Sequence, residues 1–119
     1  MSQTLNGRAL LGVTAHTANY TLTANDNGTA HSSKGASGAI TCTLPAATPG
    51  LHFMFYVGEA QEHRIDPAGS EVMQLPSTGA AQAGGAYLTA NAAGESLHIA
   101  CFEAGVWSVL SYVGTWTAV

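Results

Sequence analysis

The sequence predicts an all-β fold, a single-domain antiparallel β-sandwich or small β-barrel of about eight to ten short strands. Three observations predict it. Apolar and polar residues alternate with the two-residue period of a strand, and helical periodicity is not sustained. Turn signals containing Gly or Pro recur about every eight to twelve residues. The 119 residues, 46% of them hydrophobic, have the length of one domain, so residues 1–119 are expected to form a single β domain.

The clearest pair of strands lies in the first half of the chain. In the first strand, Ile40, Cys42 and Leu44 alternate with threonines, and Pro45 then ends the run because it has no N–H to donate. A turn rich in Pro and Gly follows. The second strand, 51–57, carries large side chains on both faces, so we expect it either to be covered on both sides within the chain or to pack against a partner.

A second pair lies near the C-terminus. Leu97, Ile99 and Cys101 alternate with other residues, and Ala104-Gly105 predicts a hairpin turn into the strand 106–113. Weaker strand candidates lie at 10–15, 19–24, 63–66 and 72–75, and residues 115–117 are expected to close the chain as an extended tail.

Two segments are predicted to be flexible loops, and a third to be an arm. Residues 26–38 and 76–85 are rich in Gly and small side chains, which lose much conformational entropy when they are ordered. Residues 1–12 are expected to form an N-terminal arm. A partner surface could order the two loops.

Charge is scarce and unevenly placed. Only 8% of the residues are charged, against roughly 25% in an average domain, and the formal net charge is -4. Three basic residues cannot form a phosphate-binding patch, and no apolar run is long enough to span a membrane, so neither nucleic acid nor membrane is an expected partner. Five charges fall within 59–71, which is expected to be a solvent-facing edge. The uncharged stretch 72–94 is expected to lie against another subunit or against the shell of a larger assembly.

Residues for chemistry are few. Cys42 and Cys101 are expected to be reduced and buried, and the sequence has no CxxC or HxxxH spacing for a metal, so no metal or cofactor is predicted. His63 and Asp66 stand close enough in sequence for acid–base catalysis to be conceivable. A solvated strand with alternating polar residues is the competing interpretation.

Four motifs lie along residues 39–116: ITCTLPAATPGLHF at 40–53, RIDPAGSE at 64–71, YLTAN at 87–91, and a closing Trp107 with GTW at 114–116. In these motifs the chain resembles bacteriophage virion structural proteins. Small capsid decoration (cement) proteins and domains of head and tail fibres carry such β modules. The resemblance covers about two-thirds of the chain, and its motifs are structural in kind.

The resemblance implies a decoration protein and not an enzyme. Such a protein binds the major capsid protein on the outer surface of the phage head and stabilises the shell as a homo-oligomer, typically a homotrimer. It would be made in the cytoplasm of the bacterial host and then lie on the virion. The residues expected at its interfaces are Leu5, Leu10, Leu11, Tyr56, Leu75, Tyr87, Trp107 and Trp116.

Two other functions stay open. A head- or tail-fibre domain would bind a host glycan or protein through exposed aromatic rings, for which Tyr56, Trp107, Tyr112 and Trp116 are the candidates. A hydrolase would use His63 and Asp66. Fibre proteins are usually longer, with repeats or coiled-coil heptads, which favours decoration.

Overall fold

The computed structural model describes residues 11–75 and 80–119 and confirms the all-β fold. A single turn of 3₁₀ helix, Ala24–Asp26, is capped by the side chain of Thr23. Within the described ranges, no helix is long and apolar enough to cross a membrane. Numbered in chain order, the strands are β1 Gly12–Ala15, β2 Tyr20–Thr21, β3 Thr29–Ser32, β4 Ile40–Thr43, β5 His52–Tyr56, β6 His63–Asp66, β7 Val72–Met73, β8 Leu88–Ala90, β9 Ser96–Glu103, β10 Val106–Val113 and β11 Thr117–Ala118.

The strands form two sheets, and the chain changes sheet at almost every strand. The six-stranded sheet has the order β1-β3-β5-β9-β10-β7, and the five-stranded sheet has the order β11-β8-β6-β4-β2. Odd-numbered strands up to β9 lie in the first sheet, and even-numbered strands up to β8 lie in the second. The apolar core lies between the inner faces of the two sheets, as in a sandwich.

The direction of pairing differs from the predicted antiparallel arrangement. β1, β3 and β5 pair in parallel, and so do β2, β4 and β6 in the other sheet. The chain from residue 12 to residue 66 therefore winds through three coils. Each coil consists of one strand of the six-stranded sheet followed by one strand of the five-stranded sheet. Antiparallel pairs follow, except that β7 and β10 are parallel. Parallel neighbours need a long crossover, which here is a strand of the opposite sheet, and residue alternation carries no information about that crossover.

The predicted hairpin turn is confirmed at Ala104-Gly105. β9 and β10 pair in antiparallel fashion from Glu103 and Val106 onward, so only two residues connect them. Gly105 has φ +82°, a left-handed conformation that residues with a Cβ rarely adopt.

The core confirms the predicted burial of both cysteines. Cys42 and Cys101 are free thiols and both are buried. Each large side chain that leaves water contributes about 1.5–3 kcal/mol to stability. The largest fully buried apolar side chains are Phe53, Phe55, Trp107, Leu44, Ile65, Met73, Leu88, Leu97 and Ile99.

Two expectations about the organisation of the chain are wrong. The predicted loop 26–38 contains β3, whose small side chains give little hydrophobic signal, although its backbone pairs with both β1 and β5. The charged stretch 59–71 contains β6, which is the central strand of its sheet and not an edge. In the uncharged stretch 72–94, β8 pairs with β6 and Leu88 is fully buried inside the chain. Contact of the rest of this stretch with a partner stays a prediction. Residues 1–10 of the predicted arm, and 76–79 of the second loop, lie outside the described residues.

Candidate interaction surface

The residues that the sequence suggested for interfaces do not form one patch. Leu5 and Leu10 lie outside the described residues. The other six are placed as follows: Leu11 and Tyr56 are exposed, Leu75 and Tyr87 are partly buried, and Trp107 and Trp116 are buried.

The two tryptophans belong to the core of the single chain, which corrects their assignment to an interface. The ring of Trp107 is fully buried and lies 5.8 Å from that of Phe53, centroid to centroid. Trp116 donates its indole N–H to the carbonyl of Ser96 at 2.9 Å. Aromatic side chains serve cores and interfaces equally well, so the residue type alone does not separate the two roles.

The solvent-facing side of the six-stranded sheet, here called the outer face, is nearly free of charge. Strand register places Val13, Ala30, Met54, His98 and Ser111 side by side across five strands. Within the described chain, Glu103 at the hairpin turn is the one charged residue in the six strands of this sheet. The adjoining rows contain Ala15, Ser32, Tyr56, Ser96 and Val113 on one side and His52, Ala100 and Ser108 on the other.

The solvent-facing side of the five-stranded sheet is polar by contrast. Thr41, Arg64, Thr89 and Thr117 form one row across four strands. Arg64 donates to the carboxylate of Glu62 at 3.1 Å and lies over the ring of Tyr87. Such a surface is well hydrated, so the two sides of the sandwich differ sharply in chemistry.

A groove runs along β3 on the outer face. Ala30 and Ser32 form its floor because their side chains are small. Val13 of β1 forms one wall, and Met54 and Tyr56 of β5 form the other. The groove has a volume of about 240 Å³ and an apolar lining. We call it the β3 groove.

Large apolar side chains project from β9 and β10. Phe102 is 68% exposed, Leu110 is 50% exposed and Val113 is 58% exposed. The register of the two strands shifts between Val109 and Ser111, and Leu110 is the extra residue of this bulge. We call Phe102, Leu110 and Val113 the hairpin ridge. Exposed apolar side chains grouped in this way are typical of a binding surface.

Two histidines lie on β5 and β9, between the β3 groove and the hairpin ridge. Nδ1 of His52 is 3.3 Å from Nε2 of His98. Partial burial, and the second imidazole beside it, lower the pKa of His98. His98 is therefore neutral at pH 7, which keeps the centre of the outer face free of that charge.

A separate group of rings, His16, Tyr20, His31 and His63, lies between the two sheets and is here called the histidine cluster. The rings of His16 and Tyr20 stack with their centroids 3.4 Å apart. Nε2 of His16 is 2.9 Å from Nδ1 of His31, whose Nε2 is 2.7 Å from Oγ1 of Thr29.

The hydrogen-bond partners determine the tautomers in the histidine cluster. The Thr29 hydroxyl donates to the carbonyl of Asp26 at 2.6 Å, so it must accept from Nε2–H of His31. Nδ1 of His31 then accepts from Nε2–H of His16. The resulting chain of donors runs from His16 through His31 to Thr29, and it requires the imidazole of His31 to be neutral. Partial burial lowers the pKa of His16 as well.

His63 follows the same logic deeper in the core. Its Nδ1 lies 3.3 Å from the carbonyl of Tyr56, which can only accept, so Nε2 accepts from the hydroxyl of Tyr20 at 2.7 Å. Burial is the main cause that lowers the pKa of His63 to about 4, and likewise that of His31 to about 4. Burial also raises the pKa of the Tyr20 phenol. The cluster is a neutral structural network near pH 7.

The acid–base pair that the sequence offered is not assembled. His63 points into the core, while Asp66, three residues later on the same strand, lies on the opposite side of the sheet. Asp66 is not a hydrogen-bond partner of His63, whose partners are Tyr20 and Tyr56. Among the described residues, no group of three or more His, Cys, Asp or Glu side chains is arranged to hold a metal ion.

Comparisons with known proteins give no relative. No protein-family model matches the chain, and neither a curated protein sequence nor a solved structure matches it significantly. The resemblance of residues 39–116 to phage virion proteins therefore stays a prediction.

Proposed function

We propose that this chain is an assembly protein of a phage particle, a capsid decoration (cement) protein that binds the outer surface of the head and stabilises the shell as a homo-oligomer. The homotrimer that the resemblance implies is part of this proposal, as is a location on the virion. The observation that supports it most is the outer face, because a side that is nearly free of charge and carries exposed apolar side chains is suited to being buried against protein.

The sheet edges support contact with a second protein. β1 and β2 are edge strands of their respective sheets and belong to the same coil, so residues 12–21 present two edges at one end of the molecule. An edge strand can accept a further strand from a neighbour, as in strand addition. We propose that the major capsid protein is bound at this end, while the outer face is left for contact between copies.

The proposal is tested with phage heads that lack the chain. Purified protein is added to heads from a strain in which its gene is deleted, and the copies that sediment with the heads are counted. Saturable binding, together with a higher temperature of DNA release, is the expected result. Heads that neither retain the protein nor gain heat resistance contradict the proposal.

The second candidate is a head- or tail-fibre domain that binds a host glycan. Tyr56 and Tyr112 support it, since the two residues are 50% and 42% exposed and lie in strands of the six-stranded sheet. Burial of Trp107 and Trp116 removes the two rings best suited to stacking on a sugar. Binding to a glycan array that is lost in Tyr56→Ala would favour this candidate over decoration.

A further inference from the structure

We propose that another copy of this chain covers the outer face, with Leu110 and Val113 of the hairpin ridge of one copy seated in the β3 groove of the other. The inference deepens the proposed function, and rests on it in so far as that function requires a homo-oligomer. Its argument comes from three features of the described residues, namely the distribution of charge, the position of groove and ridge, and the area available.

The distribution of charge favours a copy of the same chain. The net charge of -4 makes two copies repel each other over most approaches. The outer face is the exception, because its central rows hold only apolar, Ser and His side chains. A strongly charged partner would find no counter-charge there, whereas a second outer face presents the same uncharged chemistry.

Groove and ridge are placed symmetrically in the sheet. β3 is second from one edge of the six-stranded sheet and β10 is second from the other, with the midline between β5 and β9. We place a twofold axis above this midline, parallel to the strands. A half-turn about this axis generates a second copy whose β10 lies over β3 of the first. Each copy then contributes its ridge and its groove once, as an isologous contact requires. A closed ring of three needs a heterologous contact instead, in which the ridge of each copy lies in the groove of the next copy around the ring.

The row positions agree with this placement. Ser111 is in register with His98, which is in register with Met54, so the bulge residue Leu110 lies at the level of the Met54 wall. Ala30, the groove floor, shares that level. Leu110 of one copy would thus meet the deepest part of the groove of the other, and Met54 would lie near the His98 of that copy.

The available area suits weak association. The strands of this sheet are two to eight residues long, about five on average. Six strands about 4.8 Å apart give a width of about 24 Å, and about five residues at about 3.3 Å each give a length of about 17 Å. Two such faces together bury on the order of 800 Å², which is at the low end for a protein interface. We therefore expect a dissociation constant in the high micromolar range.

The test is sedimentation equilibrium of the full chain from micromolar to millimolar concentration. We expect the mass to rise from 12.1 kDa to that of a dimer or a trimer. Leu110→Lys in the ridge and Val13→Glu in the groove wall should each weaken association at least tenfold. The matched control is Thr117→Lys, which adds a charge at an exposed position on the edge strand β11 of the other sheet and should leave association unchanged.

A double variant tests the pairing of ridge with groove. Val13→Glu combined with Leu110→Lys places opposite charges on the two sides of the same contact and should recover part of the lost association. Circular dichroism confirms that each variant is folded. A wild-type chain that stays at 12.1 kDa up to 1 mM, single variants that associate like the control, or a double variant as weak as the single ones would overturn the inference.

The outcome is separable from that of the proposed function. A chain that associates through the outer face but does not bind phage heads keeps the inference and removes decoration. A chain that binds heads as a single copy, with no association in solution, keeps decoration and removes the inference.

Discussion

Acid should destabilise the fold through the histidine cluster. His31 and His63 are neutral in the folded chain, with pKa values of about 4, whereas each titrates near 6.5 when the chain unfolds. Between these values the unfolded chain binds more protons than the folded chain, so stability is fully present above pH 6.5 and is lost as the pH falls toward 4.

The size of the effect follows from the two pKa values. Linkage gives a loss of about 2 kcal/mol for each histidine between pH 7.5 and pH 5, and about 4 kcal/mol for the pair. A domain of this size has about 5–15 kcal/mol of stability, so the loss is a large fraction of it. In the folded chain, Nδ1 of neutral His31 accepts a hydrogen bond from Nε2–H of His16. A proton on Nδ1 of His31 would place two N–H groups face to face and remove that hydrogen bond.

The assay is urea unfolding at one low protein concentration, followed by the fluorescence of the buried Trp107 and Trp116. His63→Gln retains a donor and an acceptor for Tyr56 and Tyr20, and should reduce the fall between pH 7.5 and pH 5 by about 2 kcal/mol. His52→Gln removes an imidazole from the outer face and should keep most of the fall. Equal stability at both pH values, or an unchanged fall in His63→Gln, would refute the reasoning.

Four further predictions concern single side chains. Trp107→Ala should lower the free energy of unfolding by about 3–5 kcal/mol, measured by chemical denaturation, because it empties a fully buried site beside Phe53; a loss below about 1 kcal/mol would contradict that placement. Gly105 has a φ of +82°, so Gly105→Val should lower the free energy of unfolding by about 1–3 kcal/mol and Gly105→Asn by clearly less. Equal losses in the two variants would argue against a left-handed conformation at this turn. The carboxylate of Glu95 accepts hydrogen bonds from the backbone N–H groups of Ala92 and Thr115 and so connects two segments, and Glu95→Ala should therefore lower the free energy of unfolding by about 1–3 kcal/mol. Glu95→Gln should keep part of that stabilisation. An unchanged free energy of unfolding in Glu95→Ala would show that the two hydrogen bonds are not formed. Burial raises the pKa of the Cys42 thiol to about 12, so a disulfide reagent should modify it only in urea; rapid reaction of the native chain, mapped by mass spectrometry, would contradict its burial.

The all-β class and the hairpin could be read from the sequence because both depend on local signals. Alternation at Leu97, Ile99 and Cys101 marks one strand, and Gly105 marks the turn that follows. The parallel coils could not be read, because strand alternation is the same for parallel and antiparallel neighbours. β3 escaped recognition for a related reason, since none of its four residues has a large apolar side chain and the strand is held by backbone pairing on both sides.

The site was harder to predict than the fold. Residue type alone places Trp107 and Trp116 at interfaces, although both are buried in the chain. The exposed apolar residues of the outer face, such as Leu110 and Phe102, lie in a run of sequence that also contains buried apolar side chains. A bulge decides which of them face solvent, and its position depends on the partner strand. The histidine cluster gave no signal either, because His16, His31 and His63 are far apart in sequence and meet only through the alternation between sheets.

The central claim, that the uncharged outer face is a binding surface for further copies of this chain, is tested most directly by the mass in solution. Sedimentation equilibrium of the wild-type chain beside Leu110→Lys at the same millimolar concentration is the decisive measurement. A dimer or trimer of the 12.1 kDa chain for the wild type, and mostly single chains for Leu110→Lys, is the predicted result. A single-chain mass for both proteins would contradict the claim.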